Sequence, residues 1–166
     1  MTAAVQAPAA SWECRTASPD ETWRIGRALG AALSGGETIA LDGELGTGKT
    51  RLVQGLAEGL NIAPGVVASP TFAIRHDHRG RLPLAHLDFY RLSDPDELDW
   101  LGLLEAPPQT VFVIEWAGKL RAALPQDRLD IALSPGSHPD DRLLTWTAWG
   151  STAERVLQAV RAAHGR

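Results

Sequence analysis

The sequence predicts an α/β fold: one domain with a central, largely parallel sheet flanked by helices, and antiparallel hairpins added to it. Three observations point there. Helix-patterned and strand-patterned stretches intermix along the chain instead of segregating. The run from Val111 to Ile114 is β-branched and aromatic without polar alternation, as expected of a strand covered on both faces. A glycine-rich turn links the apolar run Thr38 to Leu41 to a helix-patterned segment ending near Leu60. The 166 residues leave room for one such domain. At this size folding hides about 70% of the unfolded surface, so a core needs no metal or disulfide staple. Residues 1–12 are expected to be a loose terminus, and residues 13–166 the single domain.

The elements follow in order. Ser18, Pro19 and Glu21 form a helix start, with a capping serine, a proline at the first helical position and a glutamate that closes a capping box. Ile25, Ala28, Leu29, Ala32 and Leu33 then share one helical face, and Ser34-Gly35-Gly36 ends it. After the glycine turn, Leu52, Val53, Leu56, Ala57 and Leu60 keep helical spacing. Pro64-Gly65 breaks the chain, and Val66 to Ala68 has strand character. Phe72 to His76 and Leu82 to Phe89 flank Arg79-Gly80, which predicts a hairpin. Asp94 to Glu97 launches a short helix through Leu101. Leu129 to Leu133 and Leu143 to Trp149 bracket a Pro/Gly-rich turn and predict a second hairpin. Ser151 with Glu154 predicts a capping box for a last helix carrying Val156, Leu157 and Val160.

Composition excludes several classes. The net charge is −4, which disfavours a protein held to nucleic acid by a basic face. One cysteine, Cys14, excludes a disulfide framework or a multi-cysteine zinc site. No apolar run nears the roughly 18 residues of a membrane span, and the first residues carry no secretory pattern. A reducing cytoplasm is the expected compartment. The basic residues are 14 Arg and only two Lys, Lys49 and Lys119.

The strongest chemical signal is Gly43-Glu44-Leu45-Gly46-Thr47-Gly48-Lys49-Thr50, which satisfies G-x-x-x-x-G-K-[ST] between a strand and a helix. Glycines let the backbone curl so that successive N–H groups converge on phosphate oxygens, and the following helix adds its positive dipole end. Lys49 supplies a cation for the β- and γ-phosphates, and the Thr50 hydroxyl suits magnesium. Chance yields on the order of 0.002 such matches in a chain of this composition. The pattern predicts a nucleotide-binding P-loop NTPase domain. Guanine reading by Asn-Lys-x-Asp is excluded, because the only asparagine is Asn61, followed by Ile62; ATP is the expected nucleotide.

A P-loop needs a carboxylate at the end of a neighbouring strand. Glu115 closes the Val111 run, and Asp88 ends the run from Leu82; one could hold magnesium while the other orients water, or Glu115 could cap a helix from the strand end and Asp88 pair with Arg91 as a loop acid. Ser69-Pro70-Thr71 offers hydroxyls in a proline-stiffened turn that could sense a γ-phosphate, or simply a turn before the hairpin. His76, His78 and His86 are better explained by an exposed hairpin edge than by a metal site. Trp116 is either core or a wall of the nucleotide site. Arg75, Arg79, Arg81 and Arg91 form a local basic cluster.

Together the P-loop, Ser69-Pro70-Thr71-Phe72, the string from His86 to Leu92 with its H-x-D-x-Y-R, and Ile114-Glu115-Trp116 resemble the TsaE (YjeE) family from about Ser18 to Trp149. That resemblance implies a bacterial cytosolic ATPase required for threonylcarbamoyladenosine at position 37 of tRNA. It implies a TsaB–TsaD heterodimer as partner, with tRNA met only through that complex. By motif position, the nucleotide and its magnesium would meet Gly43, Leu45, Gly46, Thr47, Gly48, Lys49, Thr50 and Trp116. Glu115 would be a magnesium ligand, Thr71 and Asp88 switch or catalytic positions, and Glu21 and Thr22 would approach the adenine. Two departures stand out: Arg51 where the family often has a second hydroxyl, and Ala117-Gly118 where a proline commonly follows E-W. The competing expectations are a small-molecule kinase, with Arg79, Arg81 and Arg91 as lid arginines, and a module that binds ATP without hydrolysing it.

Overall fold

Hydrophobic runs without alternation do become the middle of a parallel sheet. In the computed structural model, which describes residues 5–68 and 73–166, the described strands form one seven-stranded sheet in the order β1-β7-β6-β2-β5-β4-β3. The centre is parallel: β2 (Thr38–Asp42) lies between β5 (Val111–Glu115) and β6 (Arg128–Pro135), and β4 (Pro83–Asp88) pairs with β5. Antiparallel partners flank it. β3 (Arg75–Arg79) closes the first predicted hairpin with β4, and β7 (Arg142–Trp149) closes the second with β6.

Two layers cover the sheet. On one face Ile39, Leu41, Leu84, Val111, Val113 and Ile131 pack with the apolar stripes of α1 (Pro19–Ala32), α2 (Lys49–Gly59) and α4 (Ser151–His164). On the other, Ala40, Ala85, Leu87 and Ile114 meet Phe89, Leu92, Leu98 from the short α3 (Asp96–Trp100), and Leu120 from a 3-10 segment, Ala117–Ala123.

The α1–α2 contact is unusually close. Gly26 and Gly30 on α1 face Gly55 and Gly59 on α2, and a Cβ on any of the four would stand 2.1–2.3 Å from a backbone carbonyl oxygen of the other helix. The absent side chains let the two backbones touch, which seats the start of α1 beside the start of α2. Arg51 bridges the pair through Asp20 at 3.1 Å.

Three sequence expectations need correction. Residues 10–12 are not a loose end: β1 (Ala10–Thr16) pairs antiparallel with β7 along its whole length. Its inward positions Ala10, Trp12, Cys14 and Thr16 alternate with exposed Ser11, Glu13 and Arg15, a short period-two signal hidden by polar neighbours. Val66 to Ala68 is not a strand; Val67 alone is buried, and its carbonyl accepts a bond from Gln54 Nε2 at 3.3 Å. The start of α4 is capped from afar rather than by a Ser151–Glu154 box. Asp127 accepts from the N–H groups of Thr152 at 3.1 Å and Ala153 at 3.0 Å.

Candidate active site

The parallel register brings the ends of β2, β5 and β4 side by side, where open α/β sheets bind ligands. β2 runs into the P-loop, and Asp88 lies opposite Glu115 in the β4–β5 pairing. A cleft of roughly 670 Å³ opens there, lined by residues 45–51, Pro19, Gln54, Asp88, Tyr90, Glu115, Trp116 and Arg142.

The P-loop backbone is a glycine construction. Gly43 has φ 154° and a Cβ there would sit 2.6 Å from Leu133 O, while Gly48 caps α2 at φ 93°. L side chains rarely occupy that region. Thr47 is buried inside the turn and its hydroxyl donates to Glu44 O at 2.8 Å, so it shapes the loop. Leu45, at 80% exposure, is the loop's bare tip.

Lys49 folds back over this turn: its Nζ donates to Gly43 O and, at 3.1 Å, to Glu44 O. The ammonium lies 4.6 Å from the centre of the Trp116 ring, and Trp116 is both: partly buried against the core and part of the cleft wall. Burial pushes the Lys49 ammonium below the usual lysine range, against the pull of Glu115, Asp88, Asp42 and Glu44. Trp116 itself takes a left-handed conformation, φ 57°, at the exit from β5. For a bulky residue this costs on the order of 1–3 kcal/mol. Past it, Gly118 N–H donates to Asp42 Oδ1 at 2.9 Å and Arg121 meets Asp42 Oδ2 at 2.7 Å, which fixes the turn at Ala117-Gly118.

The two carboxylates differ. Asp88 is half-buried and accepts from Tyr90 N–H at 2.8 Å; burial raises its carboxyl above the usual aspartate range, nearby Glu115 adding to this. Glu115 is buried, and its Oε2 lies 2.7 Å from His86 Nε2. His86 is therefore not on an exposed hairpin edge. It is fully buried, on the same face of β4 as Asp88. Two residues of one strand share a face, so this spacing was visible in the sequence.

Glu21 and Thr22 are held elsewhere. Ser18 caps α1 by accepting from Glu21 N–H at 3.2 Å, while Glu21 itself reaches one residue past the cap to Ala17 N–H at 2.7 Å, and buried Thr22 bonds Thr16 Oγ1 at 2.7 Å; neither Glu21 nor Thr22 lines the cleft. Pro19 from the same turn does. Thr71, Ser69 and Pro70 lie outside the described residues. Among the would-be lid arginines, Arg81 donates to Leu33 O and Gly30 O, both at 3.0 Å, so it braces α1. Lys119, unremarkable in sequence, donates to Tyr90 O.

Arg142, like Gln54, is a cleft residue that no sequence signal marked. From the start of β7 its Nε donates to Thr47 O at 2.9 Å and Nη2 to Gly46 O at 3.0 Å, while Nη1 holds Pro139 O and Asp141 O. It clamps the outer rim of the P-loop from 95 residues away in sequence.

The oxygens on offer, the Thr50 hydroxyl and the Asp88 and Glu115 carboxylates, are hard donors around one cleft. Magnesium is bound by one or two carboxylates plus phosphates and water rather than by a protein cage, so the set fits that ion.

Comparison with known proteins agrees with this geometry. Residues 16–143 match the family model described as threonylcarbamoyl adenosine biosynthesis protein TsaE. The tRNA threonylcarbamoyladenosine biosynthesis protein TsaE of Bacillus subtilis is 40% identical over 146 residues, 87% of this chain and 90% of that protein. The protein of the same name from Mycobacterium tuberculosis is 38% identical over 141 residues, 79% of this chain and 83% of its own length. The crystal structure of Bacillus subtilis YdiB superposes with a TM-score of 0.78 at 34% identity, covering 95% of this chain and 97% of that one. With a P-loop, a strand-end carboxylate pair and these relatives, the chain belongs to the TsaE family.

Proposed function

We propose that this protein is a magnesium-dependent ATPase that serves threonylcarbamoyladenosine formation at tRNA position 37, acting with a TsaB–TsaD heterodimer in the cytoplasm. The observation that carries the reading is one cleft in which Lys49 and the start of α2 face Asp88 and Glu115 across the ends of neighbouring parallel strands. The role in tRNA modification rests on the names of the relatives.

Phosphates entering the cleft replace the Gly43 and Glu44 carbonyls as acceptors for Lys49, whose lowered proton affinity rises again beside the anion. The backbone at Gly46 to Gly48 and the dipole of α2 receive the rest of the charge. Thr50 and Glu115 would hold magnesium, which would supply charge neutralisation for the phosphates when bound. Asp88 orients the attacking water, and Thr71 senses the γ-phosphate. Trp116 and Pro19 flank the nucleotide. Glu21 and Thr22 act on the adenine side by fixing the turn that carries Pro19. Among the described residues no helix is long and apolar enough to cross a membrane.

The test is ATP turnover by the purified chain alone, with candidate metabolite acceptors, and with TsaB–TsaD and tRNA. Magnesium-dependent hydrolysis that supports the modification is expected. Transfer to a metabolite with no response to those partners overturns the reading in favour of a kinase. Glu115→Ala is expected to cut hydrolysis more than ATP binding.

A further inference from the structure

A fully buried imidazole in a β-strand core calls for an explanation, because an apolar side chain there avoids the desolvation of two ring nitrogens. His86 has 0% exposure in β4, beside Leu84 on the same face. Its Nε2 lies 2.7 Å from Glu115 Oε2, and its Nδ1 has no partner among the described residues. A buried histidine bonded at one nitrogen leaves the other desolvated without compensation. This one has a single polar contact among the described residues, and that contact is the carboxylate at the cleft.

We propose that His86 is a positioning residue for Glu115, fixing the carboxylate so that one oxygen is held by the ring and the other is presented to magnesium; this rests on the magnesium–nucleotide reading above. Facing a carboxylate, which only accepts, Nε2 is the donor of this hydrogen bond. A glutamate side chain has three rotatable bonds, and one charge-assisted hydrogen bond at 2.7 Å restrains them. The register explains the economy of the device. Asp88 pairs directly with Glu115, and His86 stands two residues earlier on the same face, so one strand carries both a cleft carboxylate and the support for its neighbour.

The experiment measures ATP binding by calorimetry across a magnesium titration and in EDTA, with melting temperatures as the check on folding. The proteins are the wild type, His86→Leu, His86→Gln and His86→Asn. Loss of an outer-shell hydrogen bond lowers metal affinity by about 10–100-fold. The magnesium midpoint of His86→Leu is expected to rise at least about tenfold, with ATP affinity in EDTA unchanged. A Gln amide reaches the place of Nε2 and an Asn amide does not, so Gln is expected to stay near wild type while Asn follows Leu. If His86→Leu fails to fold, the Gln–Asn pair decides. Equal midpoints for Gln and Asn, or an equal loss of affinity with and without magnesium, overturn the proposal. A wild-type chain whose ATP binding ignores magnesium overturns the magnesium reading and this inference with it.

Discussion

The two walls of the cleft are built by different means. The phosphate wall is a backbone device: eight consecutive residues, Gly43 to Thr50, whose glycines adopt conformations closed to other residues and whose helix rests on α1 through four more glycines. The opposite wall is a side-chain device: Asp88, Glu115 and His86 come from two strands and meet only because β4 and β5 pair in one register. The first is specified locally and tolerates little change in shape. The second is specified by pairing, and its buried polar groups hold chemistry at the expense of the core.

Substitutions that separate the walls test this contrast. Lys49→Ala removes the one mobile cation of the phosphate wall and is expected to lower ATP turnover at least about a hundredfold with the circular dichroism spectrum intact. A loss under about threefold would mean that the backbone alone binds the phosphates. Gly55→Ala puts a Cβ 2.1 Å from Trp23 O and forces the helices apart. Overpacking of this kind costs about 1–3 kcal/mol, read as a lower urea midpoint; an unchanged midpoint would deny that the wall's rigidity lies in that contact.

Arg142→Ala leaves the loop sequence untouched but frees the Gly46 and Thr47 carbonyls. Nucleotide affinity is expected to fall about tenfold, equally for ADP and ATP, since the guanidinium holds the loop rather than the γ-phosphate. A loss confined to ATP would make Arg142 a γ-phosphate ligand instead.

The smallest effect belongs to the carboxylate wall without nucleotide. Burial raises the Asp88 carboxyl, so the folded state binds its proton more tightly than the unfolded chain does. Stability from Asp88 is therefore full below the ordinary aspartate range and is lost as pH rises through the raised value. Asp88→Asn is expected to match wild type in acid and to melt slightly higher at neutral pH, while losing hydrolysis. A neutral-pH variant that melts lower would show that Asp88 stabilises the empty site.

Much of this was legible in sequence because it is local. A P-loop, a helix cap at Ser18 and the hairpins at Arg79-Gly80 and Pro135 to Pro139 depend on neighbours within a few residues, and the structure has all of them. Strand-end acids were legible too, since a hydrophobic run that stops at Glu115 or Asp88 must put that acid at the sheet's rim. Where the signal was weak, it failed. β1 carries only four inward residues, of which Ala10 and Thr16 are small or polar, and Val66 to Ala68 has strand-forming residues but no strand partner among the described residues.

Backbone chemistry and periodicity determined the fold class, the nucleotide-binding loop and the candidate acids, because each is set by residues adjacent in the chain. Tertiary structure alone decided that His86 holds Glu115, that Arg142 clamps the P-loop and that Asp127 caps α4. Those contacts join residues tens of positions apart. Their partners are chosen by strand register and helix packing, which no local pattern encodes.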